Sequence, residues 1–294
     1  MRMILKANTF LASVLVLGFV SLLLSGEGFA GTLQDVKARG KLIVGVKTDY
    51  PPLGFLDKKG VNKGIDIDIA KTLSKELFGN EDAVEFVSVT SQNRIPLLTA
   101  GKIDLIAATL TITEQRKKEV DFSIPYFITA QTVLVRADSK ITKYQDLTGK
   151  KVATIRGSTG DTAIGELVPD AERIIFERNF EALQALKEGR VEAFVQDFVL
   201  LFNLLQKNPG LKMASLQPFR PGRYGLAVRK GDTEWLGFIN ATLTKMKETG
   251  EYGKLLDKWF GPVARALWMA FEPESELRQQ KEIVDQKRRK GSTR

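Results

Sequence analysis

The chain has 294 residues, no cysteine, no histidine and a formal net charge of +9. The lack of cysteine excludes disulfides, thiol chemistry and a lipid-modified cysteine, and the lack of histidine removes the commonest general base and metal ligand. The positive charge is dispersed, without the interleaved basic and aromatic run of a nucleic-acid-binding surface. We therefore expect no metal site, no cofactor and no nucleic-acid partner.

The two ends of the chain differ from its body. Residues 1–30 are predicted to be a secretory signal peptide, because two basic residues precede an apolar run over residues 10–24 and a small-x-small cleavage pattern follows it. An uncleaved anchor is the alternative, although the run is shorter than the ~20 residues that span a bilayer. We expect a periplasmic protein without a lipid anchor, with a charged C-terminal extension over residues 263–294.

The body alternates predicted strands with predicted helices, which indicates an α/β fold. Asp68 is expected to cap a helix that Gly79 ends, and the loop over residues 48–55, with two prolines and a glycine, is expected to lack regular structure. Strands are predicted over residues 41–46, 84–89, 103–108, 132–136, 151–155, 173–176, 191–196 and 224–228, and further helices over residues 33–37, 92–100, 180–188, 198–205, 233–248 and 252–259.

The stretch after the strand at residues 103–108 carries the strongest functional signal. Thr113 is predicted to cap a short helix that contains Arg116, so the loop between lies at the carboxyl end of a strand and beside a helix N-terminus, where anions bind. Arg116 can hold a carboxylate with two parallel hydrogen bonds, and Thr109 and Thr111 can offer oxygens to an ammonium. A carboxylate and an ammonium on one carbon describe a free amino acid. The alternative is a solvated arginine beside ordinary loop threonines.

Two other loops contribute candidates. Tyr50 follows the first strand and could pack on the aliphatic part of a ligand, or merely cover the core. Ser158 and Thr159 lie in a glycine-rich turn over residues 156–161, where backbone amides can point outward, although most such turns are only turns.

A comparison within the chain suggests two similar halves. Residues 98–106 and 186–194 share a pattern of leucine, glycine, basic, aliphatic and acidic residues, and the same offset puts Asp197 opposite Thr109. Two α/β lobes facing one cleft would give this pattern, with Asp197 as the anion that pairs a ligand's ammonium. Alternatively, the pattern is a common α/β connection and Asp197 is a helix N-cap.

Several motifs occur in order along residues 38–262. They are Asp49-Tyr50-Pro51-Pro52, Gly64-Ile65-Asp66-Ile67-Asp68, Asn93-Arg94-Ile95-Pro96, Thr111-Ile112-Thr113 with Arg116, Asp121-Phe122-Ser123, Gly157-Ser158-Thr159, Asp197, Tyr224-Gly225-Leu226-Ala227 and Lys258-Trp259-Phe260-Gly261. In these motifs the chain resembles the family 3 bacterial extracellular solute-binding proteins, the polar amino-acid receptors of ABC importers.

The resemblance implies a type II periplasmic-binding-protein fold. Each of its two lobes is an open sheet flanked by helices, and two hinge strands near residues 131–136 and 223–228 join the lobes. The implied divisions are residues 31–131 and 224–262 for lobe 1 and residues 132–223 for lobe 2. It also implies a non-enzymatic and monomeric receptor whose partners are an amino acid and a membrane-embedded ABC permease.

The resemblance also assigns roles to the candidate residues. Arg116 would grip the α-carboxylate, helped by the amides of Thr111 and Thr159, while the Thr109 carbonyl, the Thr111 hydroxyl and Asp197 would hold the ammonium. The position of Tyr50 implies that it flanks the ligand's side chain.

The choice of ligand rests on fewer residues. Arg94 resembles the arginine that faces the side-chain carboxylate in glutamate and aspartate receptors, with Arg156 as a possible helper, so an acidic amino acid is the leading expectation. A neutral ligand such as glutamine is the alternative, with Arg94 as a surface helix residue. A second alternative is an enzyme on the same scaffold, similar to cyclohexadienyl dehydratase, with Glu166 or Asp161 as the acid.

Overall fold

The computed structural model describes residues 32–215 and 217–271. The first part of the chain contains α1 (Thr32–Arg39), β1 (Leu42–Val46), β2 (Asp49–Tyr50), β3 (Gly54–Leu56), β4 (Asn62–Lys63), α2 (Ile65–Phe78), β5 (Val84–Ser88), α3 (Arg94–Thr99), β6 (Leu105–Ala107), α4 (Glu114–Lys117) and β7 (Val120–Phe122). The second part contains β8 (Phe127–Arg136), a 3-10 turn (Tyr144–Leu147), β9 (Lys151–Ile155), α5 (Thr159–Leu167), β10 (Glu172–Phe176), α6 (Asn179–Lys187), β11 (Ala193–Asp197), α7 (Phe198–Gln206), β12 (Leu211–Met213), β13 (Phe219–Tyr224), β14 (Ala227–Arg229), α8 (Thr233–Glu248) and α9 (Glu251–Phe271).

The first sheet has the strand order β5-β1-β6-β14-β7, with β1 parallel to β5 and β6 and with β14 antiparallel to β6 and β7. Both of its faces are covered. Leu105 lies in a core cluster with Leu73 of α2 and Trp235 of α8, whereas the next residue, Ile106, lies in a cluster with Leu98 of α3. Burial on both faces explains why this strand is a continuous apolar run in the sequence.

The second sheet has the order β10-β9-β11-β8-β12, and β13 also pairs with β8. Here β9 is parallel to β10 and β11, while β8 is antiparallel to its neighbours. Phe194 faces a cluster with Leu186 of α6, and its neighbour Val195 faces a cluster with Ile164 of α5. The two sheets are thus built in the same way, each between layers of helices.

The chain passes between the two sheets twice, at residues 123–126 and 225–226. These passages are neighbours, because Tyr126 N donates to Tyr224 O at 3.0 Å and β8 pairs with β13 from Phe127 opposite Tyr224 onward. Both β8 and β13 lie wholly in the second sheet. The second passage lies within the crossing strand expected near residues 223–228, whereas the first precedes the one expected near residues 131–136. The lobe boundaries at residues 131/132 and 223/224 stay a prediction.

The predicted internal repeat is confirmed by matching backbone geometry. Each copy turns at a glycine with positive φ, 68° at Gly101 and 73° at Gly189. The equivalent hydrogen bonds are Lys102 N to Leu97 O and Arg190 N to Ala185 O, each 2.9 Å, and Asp104 N to Ile43 O and Glu192 N to Lys151 O, each 2.8 Å. The helix-glycine-strand unit therefore occurs once in each sheet.

The start of α2 differs from the sequence expectation. The helix begins directly after Gly64, so Asp68 lies in its first turn and does not cap it. The Asp68 carboxylate instead accepts hydrogen bonds from Lys258 Nζ and Trp259 Nε1, both at 2.7 Å. The expected end is confirmed, since Gly79 closes the helix with φ 70°.

The loop over residues 48–55 also differs. It contains a hairpin in which Asp49 of β2 pairs with Phe55 of β3 and Tyr50 pairs with Gly54. The expectation of no regular structure was wrong because the prolines lie between the paired residues, where no ladder hydrogen bond is lost.

The two ends of the chain are only partly described. Helix α9 continues to Phe271 across a break at Gly261, which has φ 76° and ψ 164°. The predicted signal peptide and residues 272–294 of the predicted extension lie outside the described residues. Among the helices that the structure describes, none is long and apolar enough to cross a membrane.

Candidate functional site

Asp197, at the end of β11, is the centre of a buried polar cluster between the sheets. Its Oδ2 accepts hydrogen bonds from Tyr50 Oη at 2.8 Å and Tyr224 Oη at 2.6 Å, and its Oδ1 accepts one from Gln131 Nε2 at 2.5 Å. Burial raises the pKa of Asp197, and these hydrogen bonds together with the charge of Arg116 oppose that rise. Although Asp197 is at the N-cap position of α7, its side chain makes no capping hydrogen bond.

Arg116 reaches this cluster from the first sheet. The Thr113 side chain accepts the Arg116 backbone N–H at 3.2 Å, which confirms the predicted helix cap and fixes the start of α4. The guanidinium donates from Nη1 to Thr111 O at 2.8 Å and from Nη2 to Gly157 O at 2.9 Å. Burial lowers the pKa of Arg116, and the charge of Asp197 opposes this effect. Arg116 is therefore held by both lobes and is not a solvated arginine.

Two threonines and a glutamine continue the network. Thr111 Oγ1 lies 3.5 Å from Thr159 Oγ1, and Gln131 Nε2 donates to Thr159 Oγ1 at 3.0 Å. The Ser158 hydroxyl accepts the Asp161 N–H at 3.1 Å and caps α5. The glycine-rich turn thus brings Thr159 to the cluster, while the Ser158 side chain holds the helix start.

A second buried group lies behind Thr109. The Asp66 carboxylate accepts Thr109 N–H at 3.1 Å and Tyr126 Oη–H at 2.8 Å, and burial raises the pKa of Asp66 to about 7 against these hydrogen bonds. Thr109 has φ 48°, which is unusual for a β-branched residue. This buried hydrogen bond therefore holds the backbone N–H of a residue with an unusual conformation.

Arg94 is only 2% exposed, so it is not a surface helix residue. Its Nη1 donates to Ala108 O, and no group in the described part of the chain accepts a hydrogen bond from its Nε. Burial and the charge of Arg116 lower the pKa of Arg94 to about 9, with Asp197 opposing, so it stays protonated at neutral pH. Arg94 therefore lies within electrostatic reach of both Arg116 and Asp197.

Lys47, at the end of β1, is a further buried cation at 1% exposure. Its Nζ lies 3.6 Å from Asp49 Oδ1, and Asp49 Oδ2 accepts the Asn179 N–H of the second lobe at 2.9 Å. Burial lowers the pKa of Lys47, with Asp49 opposing and Arg94 adding to the effect.

The structure thus joins six of the predicted residues in one buried region and adds four that the sequence reasoning missed. The six are Tyr50, Arg94, Thr111, Arg116, Thr159 and Asp197, and the four are Lys47, Asp66, Gln131 and Tyr224. Thr109 adjoins the region through Asp66, and Ser158 adjoins it as a helix cap.

Three residues named as helpers or alternatives lie elsewhere. Arg156 is exposed and donates to Glu177 at 2.5 Å, so it does not assist at the site. Asp161 pairs with Arg173 at 2.9 Å, and Glu166 pairs with Arg220. These partners, Glu177, Arg173 and Arg220, are not members of the cluster around Asp197.

A family model for bacterial extracellular solute-binding proteins, family 3, matches residues 42–262. The chain belongs to this family. The match runs from β1 into α9, so it covers both sheets and every residue of the cluster around Asp197. The expected type II two-lobe fold is likewise confirmed by the solved relatives.

The relatives include the ABC transporter glutamine-binding protein GlnH of Bacillus subtilis (strain 168), which is 42% identical over 237 residues, or 80% of this chain and 86% of that protein. Among solved structures, holo ArgBP from T. maritima is 40% identical with a TM-score of 0.70, and the match covers 77% of this chain and 99% of that one. The ancestral amino acid-binding protein AncCDT-1, a precursor of cyclohexadienyl dehydratase, is 42% identical with a TM-score of 0.72, and the match covers 78% and 99%.

Proposed function

We propose that the protein binds a free α-amino acid between its two lobes outside the cytoplasm and delivers it to the membrane-embedded permease of an ABC importer. The observation that carries this proposal is that a buried carboxylate, Asp197, and a guanidinium, Arg116, lie within electrostatic reach of each other in one network that spans both sheets. An amino acid needs an anion for its ammonium and a fork of donors for its carboxylate. Export by cleavage of residues 1–30 and action as a monomer are part of the same proposal.

The Asp197 carboxylate and the Arg116 guanidinium both have hydrogen-bonding capacity left for a ligand, which supports these roles. Asp197 Oδ2 already accepts two hydroxyl hydrogens, whereas Oδ1 accepts only the Gln131 hydrogen among the contacts described, so Oδ1 can accept from an ammonium. Arg116 uses one hydrogen on each Nη for a backbone carbonyl, and a guanidinium has five N–H donors. Arg116 can therefore bind a carboxylate without giving up its own support.

We propose glutamine as the ligand. The relative from Bacillus subtilis is a glutamine-binding protein, and that identity supports the assignment. The buried charges are also balanced when Asp66 is ionised, and a zwitterion with a neutral side chain keeps that balance. The cations are Lys47, Arg94 and Arg116, and the anions are Asp49, Asp66 and Asp197.

Glutamate is the second candidate, and two observations favour it. With a pKa of about 7, Asp66 is partly protonated near neutral pH, which leaves the region with excess positive charge. Arg94 Nε is also buried without an acceptor in the described part of the chain. A side-chain carboxylate would offer both a negative charge and an acceptor.

We propose binding without turnover. The two carboxyl groups that the sequence offered as acids, Asp161 and Glu166, are engaged by Arg173 and Arg220. A dehydratase needs a carboxylic acid positioned against its substrate, and these ion pairs direct both side chains toward exposed arginines instead.

Calorimetric titration of the protein with glutamine and glutamate, after unfolding and refolding to remove carried-over ligand, tests the assignment. We expect both to bind at one site and glutamine to bind roughly tenfold tighter or more, which corresponds to ~1.4 kcal/mol. Tighter binding of glutamate would replace the ligand assignment and keep the receptor. Binding of neither would refute both ligand assignments, and binding of none of the twenty amino acids would refute the receptor proposal.

Two variants test the roles of the charged groups against two ligand analogues. Arg116→Ala should weaken glutamine binding by ~2 kcal/mol or more while hardly changing the weak binding of 4-aminobutanamide, which lacks the α-carboxylate. Asp197→Asn should likewise weaken glutamine but spare 4-carbamoylbutanoate, which lacks the amine. Equal losses for glutamine and the analogue in either variant would show that the residue does not recognise the group assigned to it.

A further inference from the structure

The motif at residues 64–68 contains two carboxyl groups with different surroundings. Asp66 is completely buried, and it contacts the loop of Thr109 and the side chain of Tyr126. Asp68, in the same turn of α2, faces the other way and contacts Lys258 and Trp259. Of these two, only Asp66 therefore touches the proposed site, and the proposed function uses its charge but assigns it no contact that positions the ligand.

The contact with Thr109 offsets a strained backbone. A non-glycine residue in the left-handed region is strained, and Thr109 has φ 48°. A hydrogen bond from an N–H to a charged acceptor is among the stronger hydrogen bonds in proteins, so it can offset strain of this kind. Without this acceptor we expect the Thr109 peptide to rotate toward negative φ, which would reorient its carbonyl.

The contact with Tyr126 connects the same carboxyl group to the passage between the lobes. Tyr126 precedes β8, its backbone N–H donates to Tyr224 O at 3.0 Å, and its carbonyl accepts from Tyr252 Oη. Tyr224 in turn contacts Asp197. Asp66 thus accepts hydrogen bonds both from Thr109, in the loop at the site, and from Tyr126, in the segment where the chain crosses between the sheets.

We propose that Asp66 is a positioning residue for amino-acid binding, which fixes Thr109 in its left-handed conformation and ties that loop to the passage at Tyr126. The inference rests on the proposed function, because Thr109 matters only if its carbonyl meets the ligand's ammonium. Asp66 itself does not touch the ligand.

The test compares Asp66→Ala with Asp66→Asn and with a matched control, Asp68→Ala. In Asp66→Ala we expect exchange of the Thr109 amide hydrogen, followed by NMR without ligand, to quicken roughly tenfold or more, and the Kd of glutamine to rise by a similar factor. Binding of 4-carbamoylbutanoate should stay within about threefold, because it has no ammonium. Asp66→Asn keeps an acceptor oxygen and should restore both readouts, while Asp68→Ala should lower only the melting temperature.

A second variant covers the case in which Asp66→Ala does not fold. Glycine adopts positive φ without strain, so Thr109→Gly removes the need for the Asp66 acceptor. In the Thr109→Gly background, Asp66→Ala should fold and should change the glutamine Kd by no more than about threefold. A loss in this background as large as in the unmodified protein would overturn the proposal.

Different results would overturn the positioning role of Asp66 and the receptor function on which it rests. Unchanged glutamine binding or unchanged Thr109 exchange in folded Asp66→Ala would overturn the positioning role. A wild-type protein that binds none of the twenty amino acids would overturn the receptor function itself, and the exchange measurement would then still report whether Asp66 fixes Thr109.

Discussion

Gly157 lies where the two lobes touch, and replacing it by alanine should weaken ligand binding. It has φ +72°, and an added Cβ would lie 3.0 Å from Ser91 O and 3.0 Å from Gln92 Cα, both in the first lobe. These are backbone atoms that cannot move aside as a flexible side chain would. The Gly157 carbonyl also accepts a hydrogen bond from Arg116, so any shift of this turn disturbs the site.

Two costs contribute to the effect of Gly157→Ala. The left-handed conformation costs alanine about 1–2 kcal/mol wherever it occurs. The forced contact between the lobes adds about 1–3 kcal/mol of overpacking. Only the overpacking cost disappears when the lobes separate. Because the ligand binds between the lobes and brings them together, this cost should raise the Kd roughly 5- to 150-fold.

Gly149→Ala separates the two costs. Gly149 lies in the same lobe with φ +69°, and its added Cβ would meet nothing within 4 Å. Both variants should lose similar stability in thermal unfolding, whereas calorimetry should detect weaker glutamine binding only for Gly157→Ala. Equal Kd values for the two variants would refute the argument that this contact limits how the lobes come together.

Two further predictions concern stability. Gly64 has φ 127°, and in Gly64→Ala the added Cβ would overlap the Leu53 carbonyl. We therefore expect urea unfolding to show a loss of at least ~3 kcal/mol of unfolding free energy. For Gly79→Ala, whose added Cβ would meet nothing within 4 Å, we expect a loss of only ~1 kcal/mol. A similar loss of unfolding free energy in both variants would contradict the predicted clash with Leu53. Because the folded-state pKa of Asp66, about 7, exceeds its unfolded value, its contribution to the unfolding free energy falls as pH rises from about 4 to about 7, by up to ~4 kcal/mol. Asp66→Asn should remove this pH dependence. If the unfolding free energies of the variant and the wild type change in parallel from about pH 4 to about pH 8, Asp66 does not cause the dependence.

The parts of the fold that local chemistry determines could be predicted from the sequence. Thr113 caps α4 because its hydroxyl needs only an N–H three residues ahead, and Gly79 ends α2 because only glycine enters the left-handed region freely. The repeat was detectable because residues 98–106 and 186–194 repeat both the helix end and the strand start. These features depend on neighbours in the chain alone.

The missed parts of the site depend on contacts between distant segments. Gln131 reaches Asp197 because the two residues are opposite each other in the antiparallel pair of β8 and β11, and that register is not visible in either strand alone. Lys47 and Asp66 look like surface charges in the sequence, yet long-range packing buries both. A charged residue inside an otherwise apolar segment, as Asp66 is between Ile65 and Ile67, was the one signal that could have indicated it.

The two neighbouring passages between the sheets have a mechanical consequence. Because β8 and β13 are hydrogen-bonded to each other where they leave the second sheet, they form a ribbon two strands wide. Sliding one strand along the other would break the register of this ribbon, whereas twisting it changes only a few backbone torsions. Since the Tyr126 N–H also donates to Tyr224 O beside the two passages, we expect one lobe to move relative to the other mainly by rotation about this pair of segments.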